Sequence, residues 1–212
     1  EYYAQCELEG ANEHQVEESQ KAVAKMEVII GDPDRLRAVA EDFIKHYETR
    51  VAEGATVAGK AMFVCSNRNI AYDFYKIVKE LRPEWTEKKI CDDGVVLSEK
   101  DKKELKPMEK IKLVMTRNKD DEKDLFDMLG TKEDRKEFDR QFKNPKSNLI
   151  FSIVVDMWLT GFDVPELDTI YIDKPIQQHT LIQTISRVNR VCEGKDKGLI
   201  VDYIGIKKNM NA

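Results

Sequence analysis

The stretch that decides the fold is Leu149-Ile-Phe-Ser-Ile-Val-Val155, running directly into Asp156-Met-Trp-Leu-Thr160-Gly161-Phe162-Asp163-Val-Pro165. Seven residues with one small polar member among six apolar ones form a strand buried on both faces, the mark of a parallel sheet. The Thr-Gly turn that follows puts small residues and free backbone N–H groups at the carboxyl edge of that sheet. Ligands bind at this edge in α/β proteins, and such N–H groups suit phosphate oxygens. An ordinary strand-to-loop turn punctuated by Asp163-Val164-Pro165 would read the same way from spacing alone.

Working outward, Thr169-Ile-Tyr-Ile172 and Leu199-Ile-Val201 are further short apolar runs, with a helix expected between them from about residue 178 to 192. Upstream, Ala61-Met-Phe-Val-Cys65 and Ile111–Met115 read as strands. Ser66 or Asn67 caps a helix with apolar face Ile70, Ala71, Phe74, Ile77, Val78 and Leu81, ended by Pro83. Residues 119–146 read as mixed-charge helix with Leu125, Phe126, Leu129, Phe138 and Phe142 inward, while 84–110 are too irregular to assign. Asp32-Pro33 marks an N-cap with proline at the first helical position, followed by Leu36, Val39, Ala40, Phe43, Ile44 and Tyr47 at helical spacing. Residues 1–24 are polar and Glu-rich, helical or loosely ordered. Strands alternating with helices predict an α/β domain, a parallel sheet with helices on both faces, over residues 56–212, preceded by a helical connector over 1–55.

Composition bounds the function. The 212 residues suffice for a core, and 35% of them are charged, giving a net charge of −5 without the basic excess usual in nucleic-acid binders. The four cysteines contain no Cys-x-x-Cys pair, which suits a reducing, cytoplasmic setting. No apolar run approaches a membrane span, and the polar N-terminus is no signal peptide, so no membrane partner is expected. The chain reads as a fragment of something longer.

Three apparent motifs are discounted. Gly54-Ala-Thr-Val-Ala-Gly59-Lys60-Ala61 nearly spells a phosphate-binding P-loop. However, Ala61 lacks the hydroxyl that holds Mg²⁺, and the run opens a strand rather than a helix. Asp156 and Asp202 end strands as a Walker B Asp does, but neither precedes Glu, and no P-loop accompanies them. Glu-x-Lys triplets such as Glu104-Leu-Lys106 are expected by chance in so charged a chain.

The helix after residue 178 carries more. Leu181, Ile185, Val188 and Cys192 form an apolar stripe, while Gln183, Arg187 and Arg190 share the opposite face. Two guanidinium groups presented together suit a transferring phosphoryl group, because each is permanently charged and bonds phosphate bidentately. A solvated face with two arginines is the blander alternative.

Thr-Gly-Phe-Asp followed some twenty residues later by Gln183-x-x-x-Arg187-x-x-Arg190 resembles motifs V and VI of superfamily 2 helicases. The fuller wording, with Asp173-Lys-Pro175, Gln-Thr-Ile-Ser-Arg-Val-Asn-Arg-Val and Val201-Asp-Tyr-Ile-Gly205, is similar to the restriction (R) subunit of type I restriction–modification enzymes. Gly59-Lys-Ala-Met-Phe-Val-Cys-Ser66-Asn-Arg68 resembles that family's motif IV. The likeness covers residues 27–207 and is densest over 148–207.

The resemblance implies a second RecA-like motor domain. Arg190 would be the arginine finger and Arg187 its companion, with Gln183 orienting them or the attacking water. Gly161 and Asp163 would couple nucleotide to the DNA track. Thr160 would lie near a DNA phosphate, and Ser66 and Arg68 would be further phosphate contacts. His179 is expected to be a surface or capping residue. ATP and Mg²⁺ would serve the intact protein, none being bound tightly by this stretch alone, and its own grip on DNA would be weak. The implied partners are a first RecA-like domain in cis, double-stranded DNA, and the modification and specificity subunits. A different superfamily 2 motor, or a non-catalytic α/β anion-binding module, is the alternative.

Overall fold

The computed structural model describes residues 13–54, 59–159, 163–176, 182–184, 186, 188 and 198–205. The first described element is α1 (Glu13–Ile30), in which residues 18 and 21–29 are exposed and Ile30 is buried. Gly31 turns it into α2 (Pro33–Ala52), which starts as the sequence predicts: the Asp32 side chain accepts from the Arg35 N–H, and proline occupies the first turn. The six apolar positions of α2 expected to face inward, from Leu36 to Tyr47, are all buried.

β1 (Lys60–Cys65) is buried throughout and leads into α3 (Arg68–Leu81). Of the two caps considered, Asn67 is the one used; its side chain accepts from the Ile70 N–H at 3.0 Å. Asn67→Ala removes that bond and should lower the unfolding free energy by about 0.5–2 kcal/mol, measurable by urea denaturation; an unchanged midpoint would show that water replaces the cap.

Residues 84–110 are not featureless. A 3-10 turn (Pro83–Thr86) buries Trp85, α4 (Glu99–Glu104) begins with a Ser98–Asp101 capping box, and Lys89 pairs antiparallel with Met108. The single helix expected over 119–146 is instead two, α5 (Lys123–Leu129) and α6 (Lys132–Lys143). The break falls at Gly130, whose φ of 64° only glycine adopts cheaply, and Thr131–Asp134 then forms a fresh capping box. Glycine inside a charged periodic run was the available signal. β2 (Ile111–Val114) precedes these helices.

The deciding run of the sequence yields β3 (Phe151–Val154), shorter than expected, because Leu149 and Ile150 are buried but belong to its approach. β4 (Leu167–Asp173) and β5 (Leu199–Asp202) complete one sheet in the order β2-β3-β1-β4-β5, with every pairing parallel.

Helices cover both faces of the sheet. On one side α2, α3 and α5 pack over Phe63, Phe151, Ile153 and Tyr171, and on the other α6 packs over Met62, Val64 and Ile170. Phe43 of α2 sits at the centre of the first layer, with ring centroids 4.8–5.7 Å from those of Phe63, Phe74, Phe151 and Tyr171. The stretch expected to be a connector therefore supplies part of the domain's own core. Among the described residues, no helix is long and apolar enough to cross a membrane.

Candidate nucleotide and DNA edge

Three adjacent strands, β3, β1 and β4, deliver their carboxyl ends to one place. Beyond β1, Ser66 Oγ donates to the Asp173 carbonyl at 2.9 Å. Beyond β4, Lys174 Nζ reaches over to the end of β3, donating to the Val155 carbonyl at 3.1 Å and to the Asp156 carboxylate. Asp173 is fully buried and held in a two-pronged pair by Arg35, with N···O distances of 2.5 and 3.0 Å. The candidate motif IV residue, the start of the 156–165 loop and the Asp-Lys-Pro turn are thus one hydrogen-bonded cluster.

Beyond that cluster the predicted site residues divide. Thr160, Gly161, Arg187 and Arg190 lie outside the described residues. Asp163 is exposed, and the chain behind it is anchored by buried Val164, whose carbonyl accepts from the Leu167 N–H. Gln183 is half-buried on the helical stretch that includes 182–184, 186 and 188, and its carbonyl accepts from Ser186 Oγ. Among the described residues of that stretch, Thr184 and Val188, four residues apart, are buried and Ile182 is exposed. Val188 fits the expected stripe, whereas Leu181, Ile185 and Cys192 lie outside the described residues, as does His179. A Cβ on Gly198 would collide with the Val188 backbone, so this glycine lets the helix dock where β5 begins.

Arg68 is engaged within the protein. Its guanidinium donates to the Thr116 carbonyl at 2.6 Å and to both oxygens of Asp121 at 2.6 and 2.7 Å. Burial alone would raise the Asp121 carboxyl, but the Asn118 N–H and Arg68 outweigh it and hold it below its usual range. Arg68 reaches a phosphate only by leaving this pair.

The discounted motifs are equally clear in space. Lys60 is no P-loop lysine: it begins β1, is wholly buried, and donates to the Leu149 carbonyl. Asp202 accepts from the N–H groups of Ile204 and Gly205 at 3.0 Å, closing the turn after β5. Among the described residues no group of His, Cys, Asp and Glu side chains could hold a metal ion. Sequence reasoning missed Arg35, for which the only signal was an arginine beside a helix start.

Residues 57–205 match the family model "Type I restriction enzyme subunit R domain 3". The chain belongs to this family. It is 37% identical over 199 residues to the type I restriction enzyme HindI endonuclease subunit of Haemophilus influenzae, covering 92% of the chain and 17% of that relative. It is 39% identical over 203 residues to a Methanocaldococcus jannaschii protein assigned as the MjaIXP endonuclease subunit, covering 95% of the chain and again 17% of the relative. The chain thus spans about a sixth of the length of these relatives. Its fold also resembles a fragment assigned as the HsdR subunit of a type I restriction enzyme from Vibrio vulnificus YJ016. There the TM-score is 0.52 at 13% identity, covering 83% of this chain and 29% of that one. The R-subunit domain is α/β, with an all-parallel sheet covered by helices, as the sequence pattern predicts.

Proposed function

We propose that this R-subunit domain is the second RecA-like half of an ATP-driven, double-stranded-DNA translocase, working in one polypeptide with a first RecA-like domain. The observation that carries this reading is the convergence of the β1, β3 and β4 ends at one edge, where Ser66, Asp156, Asp173 and Lys174 interlock. A family member with that architecture brings the guanidinium side of an ATP site: Arg190 as finger, Arg187 as companion and Gln183 as their orienting amide. Gly161 and Asp163 pass the nucleotide state to the DNA track, which Thr160 touches, with Ser66 and Arg68 as further contacts.

The phosphate cradle and the Mg²⁺ ligands do not fit the described residues, since Lys60 is buried and no acidic cluster is present among them. They belong to the first domain. Cleavage would come from a nuclease elsewhere in the subunit, and recognition and modification from the specificity and modification subunits of the complex.

Gln183→Ala tests the assignment in the intact subunit. DNA-stimulated ATP hydrolysis should fall by about 10–10²-fold with little change in thermal midpoint, because the half-buried amide orients charged groups rather than packing a core. The 212-residue chain alone should hydrolyse no ATP. Normal turnover by the Gln183 variant, or hydrolysis by the chain alone, would overturn the assignment.

A further inference from the structure

Arg35 lies 138 residues from Asp173 in sequence, yet both oxygens of that buried carboxylate are bound by its guanidinium. The same Nη1 donates at 3.0 Å to the carbonyl of Ile30, the last residue of α1. One side chain therefore joins the end of α1, the start of α2 and the carboxyl end of β4.

What it joins them to matters. Asp173 is followed by Lys174, whose ammonium spans from the end of β4, past β1, to Val155 and Asp156 at the start of the candidate loop. The carbonyl of Asp173 also takes the Ser66 hydroxyl. Freeing the Asp173 carboxylate in an apolar surrounding is costly, so the residue either keeps its partner or moves, and its backbone and neighbour move with it. Arg35 remains a full cation here, since the bond to Asp173 raises its pKa and outweighs the opposing effect of burial. A two-pronged fork fixes the orientation of the carboxylate as well as its charge, which a single ammonium does not.

A packing role alone does not require this pair. The other polar links from α2 to the sheet, Arg50 to Asp168, His46 to Tyr171 and Asp42 to Tyr203, tie down the rest of the helix. Arg35 is the member of the series that reaches the edge where the ends of β1, β3 and β4 are joined by Ser66 and Lys174.

We propose that Arg35 is a positioning residue for the motor reaction. By holding Asp173 it sets Lys174 and, through Lys174, the departure of the 156–165 loop, and it links that loop to the end of α1. The proposal rests on the translocase reading for its consequence in turnover, but not for its consequence in loop order.

The decisive variant is R35M/D173L in the intact subunit. Replacing both partners by apolar side chains leaves no unpaired charge and is tolerated in many buried pairs. If the pair is only a structural strut, melting, loop order and turnover all stay near normal. If it positions the loop, the thermal midpoint stays within a few degrees while amide hydrogen exchange over residues 155–159 accelerates about tenfold or more. The kcat for DNA-stimulated ATP hydrolysis then falls by about 10–10²-fold with KM little changed. Should the double variant melt substantially lower, Arg35→Lys decides: it keeps the charge beside Asp173 but loses the fork, and unchanged exchange and turnover in it overturn the proposal. Unchanged exchange in a folded double variant overturns it too, as does faster exchange with normal kcat in a subunit whose Arg190→Ala variant is inactive. If Arg190→Ala is itself active, the translocase reading fails separately, and the exchange measurement alone settles whether Arg35 orders the loop.

Discussion

Arg190→Ala in the intact subunit is expected to lower DNA-stimulated ATP turnover by about 10³–10⁵-fold, equivalent to roughly 4–7 kcal/mol of transition-state stabilisation, with ATP affinity little changed. In the proposed assignment Arg190 would meet negative charge that develops on the γ-phosphate only as the bond to it breaks. Its loss therefore appears in kcat rather than in ground-state binding. Arg190→Lys should be nearly as damaging, because a point charge on a flexible stem does not reproduce the planar fork. An arginine that merely solvates one face of its helix would behave differently, costing at most about 0.5 kcal/mol of stability and leaving hydrolysis intact. Val188→Ala is the matched control, at a buried position two residues earlier in the sequence. Val188 is wholly buried, so its truncation should cost about 1–3 kcal/mol in a denaturation curve before it touches the reaction. Steady-state hydrolysis with thermal melts on both variants separates the cases, and a well-folded Arg190→Ala subunit with near-normal turnover would remove the finger assignment.

Much of the scaffold around this helix was legible because single-element rules agree with tertiary packing there. The periodicity of Leu36 to Tyr47, the Asp32-Pro33 start and the continuous apolar run before Asp156 each specify an element without knowledge of its neighbours. Legibility failed where a local exception overrode a periodic pattern. Gly130 splits a run whose charge pattern continues across it, and the small elements of 84–110 are held by tertiary links such as Lys89–Met108 that no local spacing announces. The site was legible only as wording. Thr-Gly-Phe-Asp and Gln-x-x-x-Arg-x-x-Arg carry the family likeness, but nothing in either says that Arg35, well over a hundred residues away, holds Asp173. Nor does the sequence distinguish Arg68 as a surface phosphate contact from Arg68 in its pair with Asp121. Long-range ion pairs have no period, so they become visible only once the sheet brings the strand ends together.

Lys60 shows the same limit in a measurable form, and its expected effect on stability is large. The residue that mimics a P-loop lysine is the first of the central strand, fully buried, with its ammonium nitrogen 2.5 Å from the Leu149 carbonyl and 5.4 Å from the Phe142 ring centroid. Burial pulls its pKa down to about 7, against the weaker upward influence of Glu166 and Asp92. In the unfolded chain the group titrates near 10.4. Between these values the unfolded state binds the proton and the folded state does not, so stability should rise with pH from about 7 towards 10. The slope approaches about 1.4 kcal/mol per pH unit, and the total is bounded at roughly 4–5 kcal/mol. Below pH 7 both states are protonated and this contribution is flat at its least favourable value. The rise should end near pH 10, where Tyr47, Tyr171 and Tyr203, all raised mainly by burial, begin to ionise in the unfolded chain and pull stability down again. Lys60→Met fills the space without the titration, so its unfolding free energy should lose this slope. The variant should exceed the native protein at pH 6, where the native ammonium is buried charged. It should fall about 1 kcal/mol below it near pH 9.5, where the native amine is neutral and keeps its bond to Leu149. Chemical denaturation across pH 6–10 reads the crossing directly. Parallel curves would mean that water or a rearranged partner relieves Lys60, and an ATP-induced rise in melting temperature lost in Lys60→Met would mean that the lysine binds phosphate after all.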